Sequence, residues 1–152
     1  MKPDIDGVMN KFKCTKKVAE QAIQGFENYL NWLTMSNLEV AFTEVELVSE
    51  KYKFGGCNDL IFRGNKGLAI GDIKTSSGVY PDYLIQISGY ANLWNENHPD
   101  DPITGGYHLL RFSKDNADFS HHYWSELDDA WEQFKLFRAA YDLDKKLKKR
   151  TG

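Results

Sequence analysis

The stretch that decides the fold runs from Glu44 to Lys74 and reads EVELVSEKYKFGGCNDLIFRGNKGLAIGDIK. Two runs with β-strand patterning flank a Gly-Asn-Lys-Gly turn at residues 64–67, which predicts an antiparallel hairpin. Charged residues stand among the apolar ones, where core positions of a sheet are expected: Glu46, Asp59, Asp72 and Lys74. Because a buried, unpaired carboxylate is costly, each acid is expected to have a charge partner or a metal ion.

The segment before this stretch predicts a short tail, a helix and a strand. Thr15 can cap a helix over residues 16–34, because apolar residues recur there at three- and four-residue spacing. Its predicted inward face consists of Val18, Ala22, Phe26, Leu30 and Leu33. Alternation over residues 40–49 predicts a strand with Glu44 and Glu46 on one face.

The segment after it predicts two helices and two more strands. Asp82 can cap a helix over residues 82–96, and strand-like runs follow between residues 107 and 124. Ser125 and Asp128 resemble a capping box for a final helix. The predicted inward face of that helix is Leu127, Trp131, Phe134, Phe137 and Tyr141. The order α-β-β-β-α-β-β-α predicts an α/β fold, with a central mixed sheet flanked by helices.

Composition narrows the class of protein. With 152 residues, 41% of them hydrophobic, we expect a single domain over residues 1–152. No apolar run approaches the roughly 18 residues of a membrane span and no secretory signal is evident, so we expect a soluble, cytoplasmic protein. Two cysteines support neither a disulfide framework nor a cysteine metal cluster. The net charge of −3 argues mildly against a nucleic-acid partner, but basic residues crowd the first half, and the local field steers a ligand.

The charged residues of the decisive stretch suggest a chemistry. If its three strands are neighbours, Glu46, Asp59 and Asp72 converge, and hard oxygen ligands of this kind select Mg²⁺ or Mn²⁺. Lys74 lies two residues after Asp72 and therefore on the same face of the strand. A lysine beside the ion can orient or deprotonate an attacking water. The expected reaction is metal-assisted hydrolysis of a phosphodiester.

Three segments carry a family resemblance: Gly-Gly-Cys-Asn-Asp-Leu-Ile at 55–61, Gly-Asp-Ile-Lys-Thr-Ser at 71–76, and a Gln-x-x-x-Tyr pair within residues 80–90. Together they resemble the PD-(D/E)XK nuclease superfamily, and in particular its RecB-like branch of small phage-type exonucleases. The resemblance implies a Mg²⁺- or Mn²⁺-dependent deoxyribonuclease. Its expected role is that of an exonuclease or end-processing enzyme of replication, recombination or repair in a bacterial or phage-infected cell.

The resemblance also implies roles for single residues. Asp59 and Asp72 would bind the metal together with the backbone carbonyl of Ile73, and Lys74 would position or activate the water. Glu46 would assist metal binding from the first strand. Gln86 would hold the Asp-x-Lys residues or the scissile phosphate. Tyr90 would contact DNA or brace the site, and the other implied DNA contacts are Lys51, Lys53, Thr75 and Ser76.

The chain departs from the family pattern at one place. Many RecB-like members carry a histidine on the first helix, whereas none occurs between residues 15 and 35, where Glu20 or Gln21 occupies the region. An inactive DNA-binding or assembly module on the same fold therefore remains as the alternative function. Oligomeric state, polarity and strand preference stay open.

Structural interpretations stand beside these roles. Asp72 with Lys74 can form an ion pair on a solvated strand. Asp59 can end a strand, and Glu44 competes with Glu46 for the part of the ligand. An ordinary helix–sheet contact would explain the pair Gln86 and Tyr90, and a solvated hairpin would explain Lys51 and Lys53.

The histidines and the basic C-terminal run carry weaker signals. His98 and His108 have no spaced partner, and adjacent residues such as His121 and His122 face opposite ways in a strand. The run at 145–150 is typical of a solvated helix end that can extend a DNA path.

Overall fold

The alternating and helical patterns of the chain form nine elements in the computed structural model, which describes residues 3–152. In chain order these are α1 (Ile5–Phe12), α2 (Lys16–Ser36), β1 (Glu39–Ser49), β2 (Phe54–Gly64), β3 (Gly67–Thr75), α3 (Pro81–Asn97), β4 (Ile103–Phe112), β5 (Phe119–Trp124) and α4 (Asp128–Arg150). The α/β fold with a central sheet flanked by helices is confirmed, with α1 added to the predicted order. The extent of the domain stays a prediction.

One sheet organises the chain. Its strands follow the order β1-β2-β3-β4-β5, with β3 and β4 parallel and every other neighbouring pair antiparallel. Because parallel neighbours need a crossover, α3 carries the chain from β3 to β4. Alternate strand residues feed two cores: Ile61 and Ile70 pack with residues of α3 and α4, whereas Phe62 and Ala69 pack under α2. The mixed sheet is therefore covered on both faces.

The N-terminal segment differs from the prediction. Residues 5–12 form a helix, because the Asp4 side chain accepts hydrogen bonds from the backbone N–H groups of Asp6 and Gly7 at 3.3 and 3.1 Å. Within residues 3–152, no helix combines the length and the apolar character that a membrane span needs.

Four of the five residues predicted for the inward face of α2 do not lie there, and only Leu33 is confirmed. Val18, Ala22, Phe26 and Leu30 are exposed, and the residues that pack under the sheet are Tyr29, Trp32 and Leu33. Two apolar stripes compete on this helix, and hydrophobicity alone does not rank them. The sheet selects the stripe that includes Gly25, where a Cβ would come within 3.0 Å of the Phe112 ring.

The predicted Thr15 cap of α2 is confirmed, since its hydroxyl accepts from the Val18 N–H at 3.4 Å, but the caps predicted for α3 and α4 were wrong. Tyr80 precedes α3 and Pro81 occupies its first turn, so Asp82 is not the cap. Proline suits this position because its missing N–H would have no partner in the helix anyway. At α4 the backbone N–H of Asp128 bonds the Glu126 carboxylate at 2.9 Å, in place of a Ser125 capping box.

Only the first turns of α4 follow the predicted inward face. Leu127 is buried and Trp131 and Phe134 are half-buried, but Phe137 and Tyr141 are 54% and 56% exposed. The helix continues to Arg150, and Ala130 is its one buried residue in the described chain. Its C-terminal half therefore presents apolar and cationic side chains to solvent.

A histidine pair lies on the α2 face of the sheet. His108 Nδ1 and His121 Nε2 are 2.8 Å apart, so His108 has a partner on the neighbouring strand that its sequence spacing does not reveal. The Trp32 ring lies against both imidazoles, with centroid distances of 5.8 and 4.6 Å. His122 points to the other face and stacks on Trp124, which confirms the predicted opposite orientation of His121 and His122.

Burial of the pair makes stability depend on pH. Burial lowers the pKa of His108 from 6.5 to about 4 and also lowers the pKa of His121. Between pH 6.5 and 4 the unfolded chain binds more protons at these histidines than the folded protein does. The free energy of unfolding should therefore decrease by about 1–3 kcal/mol as the pH is lowered through this range. Urea unfolding across this range measures the effect. Over the same pH range, protonation of Asp72 raises the free energy of unfolding, so the wild-type curve alone does not isolate the histidines. Variants are therefore compared. The loss of stability should be smaller in His108→Gln than in wild type or in the control His98→Gln. Equal slopes would contradict it.

Gly71 on β3 has no side chain and so leaves room for the Phe62 ring of the neighbouring strand β2. A Cβ on Gly71 would lie 2.5 Å from the Phe62 ring and 3.2 Å from Leu60 Cβ. Both neighbours are buried, so Gly71→Ala should lower the free energy of unfolding by about 1–3 kcal/mol. Urea denaturation measures this change. Gly78→Ala is the control, because its Cβ would meet only ordinary contacts with Tyr80, and equal stability of both variants would refute the close packing.

Candidate active site

The candidate site forms where β2 loses its regular pairing. The β1–β2 ladder joins Thr43 to Leu60 and Val45 to Asn58, and it leaves Glu44 opposite Asp59 between these pairs. Glu44 adopts a left-handed backbone conformation with φ of 51°, which is uncommon for a residue with a side chain. On the other edge, the β2–β3 ladder ends at Leu60. The strands therefore open at Asp59.

Asp59 bridges this opening. Its Oδ2 accepts a hydrogen bond of 2.8 Å from the backbone N–H of Ile73 on β3. The N–H and C=O of one strand residue point to the same side of the strand, so the Ile73 carbonyl is directed toward the same opening. Two oxygen atoms that can bind a metal ion, one from β2 and one from β3, thus face the same gap.

Asp72 supplies a buried carboxylate beside it. Its side chain is only 2% exposed, and Oδ2 lies 3.0 Å from Lys74 Nζ. Lys74 is the ion-pair neighbour of this oxygen, which has no hydrogen bond of regular geometry. Burial, with a smaller contribution from the charge of Asp59, raises the pKa of Asp72 to about 6, although Lys74 opposes the shift. The carboxylate is held in a place where its charge is costly.

A chain of polar contacts continues from Lys74 to α3. Lys74 Nζ donates to Gln86 Oε1, and Gln86 Nε2 donates to the Tyr90 hydroxyl at 2.7 Å. Gln86 and Tyr90 are four residues apart and share one face of the helix. The ammonium fixes the orientation of the amide, since only the carbonyl end of glutamine can accept from it. Lys74 is thereby held beside Asp72.

Glu46 is not brought into this group. Its strand neighbours Val45 and Leu47 pack against the core under α3, so Glu46 points away from that face, whereas Asp72 shares the face of Ile70. Glu46 lies opposite Cys57 in the ladder. Partial desolvation raises the pKa of the Cys57 thiol, and nearby carboxylates raise it further; they belong to Glu46, Glu44 and Asp59.

Two of the predicted DNA contacts lie away from the site. Lys51 and Lys53 occupy the β1–β2 turn, where Glu96 accepts from the Lys51 backbone N–H at 3.2 Å. Glu96 follows Gln86 by ten residues of α3, which is about 15 Å along the helix axis. The Lys53 ammonium pairs with Glu50 at 3.1 Å.

Two more of the five predicted DNA contacts follow Lys74 directly, and the fifth, Tyr90, is the hydrogen-bond partner of Gln86. Thr75 ends β3 with an exposed side chain. Ser76 is 4% exposed, and its hydroxyl donates to the Gly78 carbonyl at 2.7 Å. The structure therefore leaves Thr75 open to a ligand and turns the Ser76 hydroxyl into the loop.

The carboxylates suit a cation that keeps part of its water shell. Within residues 3–152 no three side chains of His, Cys, Asp or Glu converge closely enough to hold a metal between them. Mg²⁺ characteristically binds through one or two carboxylates, with waters and substrate phosphate completing the shell. Asp59, the Ile73 carbonyl and the Asp72 oxygen without a hydrogen bond fit this type of ion better than a closed zinc site.

Two features of the site escape sequence reasoning. Tyr83 places its ring 5.0 Å from Lys74 Nζ, and its position three residues before Gln86 is the signal that would have found it. The left-handed conformation of Glu44 has no such signal, because glutamate rarely adopts it.

Comparison with known proteins shows the class of fold. No family model matches the chain, and no curated protein sequence matches it. A solved structure from Eubacterium rectale, of a protein provisionally described as an exonuclease, has the same fold: TM-score 0.60, 16% identity, 87% of this chain covered. A second structure, SSO0001, is 20% identical over 79% of this chain, but its TM-score of 0.40 is too low to support an inference. The chain spans 59% of the length of each.

Proposed function

We propose that the chain is a Mg²⁺- or Mn²⁺-dependent DNA nuclease of the PD-(D/E)XK superfamily, from its RecB-like branch. Its expected role is that of an exonuclease or end-processing enzyme. The fold shared with the Eubacterium rectale protein supports the proposal, as do the contacts among Asp59, Asp72, Lys74 and Gln86.

The buried carboxylate of Asp72 is the observation that carries the proposal. Its side chain is 2% exposed, and its pKa is raised to about 6 although Lys74 Nζ lies 3.0 Å away. An ordinary surface ion pair has neither property, since solvent would stabilise the carboxylate. A divalent cation would compensate the charge that Lys74 compensates only in part.

In the proposed mechanism Asp59, Asp72 and the Ile73 carbonyl hold the cation. The bound ion supplies Lewis acidity at the scissile phosphate. Lys74 positions the attacking water, and Gln86 keeps the ammonium in place through its amide oxygen. The water oxygen forms the new bond to phosphorus, the bond to one ester oxygen breaks, and that oxygen leaves with a proton. Tyr90 braces Gln86.

Glu46 and the outlying residues have a subsidiary part in this proposal. Glu46 assists from the edge strand by adding negative potential near the cation, since its charge acts together with that of Asp59 on the Cys57 thiol. Thr75 contacts the DNA backbone beside Lys74. Lys51 and Lys53 attract DNA over distance, since their turn lies about 15 Å along α3 from Gln86.

A non-catalytic DNA-binding module on the same fold is the second candidate. The observation that favours it is the pair of carboxylates: among residues 3–152, no third acidic, histidine or cysteine side chain completes a metal group. The first helix also lacks a histidine between residues 15 and 35.

The experiment that separates the two candidates measures cleavage and retention together. End-labelled single-stranded and double-stranded DNA are incubated with the chain and Mn²⁺ or Mg²⁺, and EDTA samples serve as controls. The proposed nuclease should shorten the DNA only when metal is present. DNA that is retained in a mobility shift but stays intact with every metal would refute the nuclease and support the binding module.

A further inference from the structure

A groove between α3 and α4 begins at the candidate active site. Its volume is about 480 Å³, and its lining residues are Asp82, Ile85, Gln86, Phe134, Phe137 and Arg138. Gln86 belongs to both places, because its amide oxygen accepts from Lys74 while its side chain borders the groove. A ligand that occupies the groove therefore lies beside the proposed position of the scissile phosphate.

Two phenylalanine rings from α4 give the groove its apolar character. Phe134 packs closely on Gly89 of α3, where a Cβ would lie 2.7 Å from the ring. Phe137 lies about one turn further along α4 and is 54% exposed. Its ring therefore contributes less to the core than the ring of Phe134. An exposed ring beside a proposed catalytic centre is a platform for a flat ligand.

The rest of α4 is strongly cationic. Residues 135–150 contain seven Lys and Arg and only two Asp, although the whole chain carries a net charge of −3. Some of these charges are paired, as Arg138 is with Asp142 at 2.6 Å and Lys148 with Asp144 at 2.6 Å. The net potential along the helix still complements a polyanion that leaves the groove.

We propose that this groove is a base-binding subsite for single-stranded nucleic acid. An unpaired base next to the scissile phosphate stacks on Phe137, and the phosphates that follow run along the cationic end of α4. The inference deepens the proposed nuclease function and rests on it. Single strands are favoured because a base within a duplex is stacked on its neighbours, whereas an unpaired base has a free face for an aromatic ring.

The charged residues at the rim of the groove indicate on which side the nucleic-acid backbone lies. Asp82 borders the groove at the start of α3, and Arg138 borders it on α4. The Asp82 carboxylate repels phosphate, whereas the Arg138 guanidinium is already paired with Asp142 at 2.6 Å and adds little attraction. The repulsion alone favours a backbone on the α4 side, with the base edge facing Asp82 and Gln86. A protein partner or a second copy of the chain fits less well, because a stable protein interface buries roughly 1,000 Å² or more and this groove is small.

The first test measures binding without cleavage. Fluorescence anisotropy with a labelled eight-nucleotide thymidine strand in EDTA should show about tenfold weaker affinity for Phe137→Ala than for wild type. Leu136→Ala is the matched control, since Leu136 is also an exposed apolar residue, 69% exposed, on the neighbouring position of the helix. Phe137→Trp should restore the affinity. Equal losses in Phe137→Ala and Leu136→Ala would overturn the proposal.

A second ligand isolates the base. An abasic strand of the same length and charge should bind wild type and Phe137→Ala equally, because it offers no ring to stack. A loss in Phe137→Ala that persists on the abasic strand would refute stacking. If sedimentation shows that Phe137→Ala instead disrupts self-association, the groove is a protein interface and the proposal fails.

The phosphate path has its own signature. Replacing Lys145, Lys146 and Lys149 with Gln should reduce the slope of log affinity against log salt by about 2, since each phosphate neutralised on a single strand contributes about 0.7. An unchanged slope would remove the α4 path from the proposal.

These measurements separate the subsite from the nuclease. Stacking-dependent binding in EDTA together with no cleavage under any metal supports the subsite and refutes the nuclease. Metal-dependent cleavage with no effect of Phe137→Ala on strand binding supports the nuclease and overturns the subsite.

Discussion

Lys74→Ala is expected to reduce DNA cleavage by at least about 100-fold while Mn²⁺ still stabilises the protein against heat. The ammonium contacts both the buried Asp72 carboxylate and the Gln86 amide, so its removal takes away the group that is proposed to position the water. The cation ligands Asp59 and Asp72 remain. Turnover of end-labelled DNA and thermal unfolding with and without Mn²⁺ measure the two parts.

Lys17→Ala provides the control for loss of a positive charge. Lys17 lies on the exposed surface of α2, remote in sequence from the site. This variant should cleave like wild type. Wild-type activity in Lys74→Ala would exclude the proposed mechanism, and loss of the folded state in Lys74→Ala would be visible in the melting curve without metal.

Asp72→Asn is expected to stabilise the metal-free protein and to remove its response to Mn²⁺. Burial raises the pKa of Asp72 to about 6 in the folded state from 3.8, so the penalty for the charged form grows between these pH values and is complete above pH 6. At pH 7 the variant should therefore gain about 1–3 kcal/mol in the free energy of unfolding. Cleavage should be lost, because the cation loses a ligand.

Urea unfolding with and without Mn²⁺ measures both the stability of Asp72→Asn and its response to the metal. Wild type should gain about 2.7 kcal/mol at a Mn²⁺ concentration 100 times its dissociation constant, and Asp72→Asn should gain far less. Asp100→Asn, at an exposed surface position, is the control and should behave like wild type in both conditions. A destabilised Asp72→Asn that still responds to Mn²⁺ would show that Asp72 has a structural role.

Local patterns predicted that several residues of the candidate site lie together, because these residues are close in sequence. Asp72 and Lys74 share a strand face by alternation, and Gln86 and Tyr90 share a helix face by their spacing of four. The hairpin turn at residues 64–67 fixes β2 against β3. These short-range rules bring four of the predicted residues into one set of contacts.

The side of the sheet on which Glu46 lies could not be predicted. A single residue of β1, Glu44, reverses which of the following side chains point to the α3 side. Phe42 contacts Trp94 on the α3 side of the sheet, with ring centroids 5.4 Å apart, and regular alternation would place Glu46 on that side too. The left-handed Glu44 interrupts the alternation, so Val45 and Leu47 face inward instead. No residue type in the stretch signals this irregularity.

Two other features depend on contacts across the fold. The exposed stripe of α2 that begins at Val18 is as apolar as the buried one, and the sheet surface decides between them. The pair His108 and His121 arises from the register of β4 against β5, which sequence spacing does not reveal. Patterns within one element predict its faces, but not which face the rest of the chain covers.

Crystals grown with Mn²⁺ would test the central claim most directly, since anomalous scattering locates the ion. We expect a peak within about 2.5 Å of carboxylate oxygens of Asp59 and Asp72, on the side of the Ile73 carbonyl and close to Lys74. A peak at His108 and His121, or none near Asp72 at saturating Mn²⁺, would contradict it.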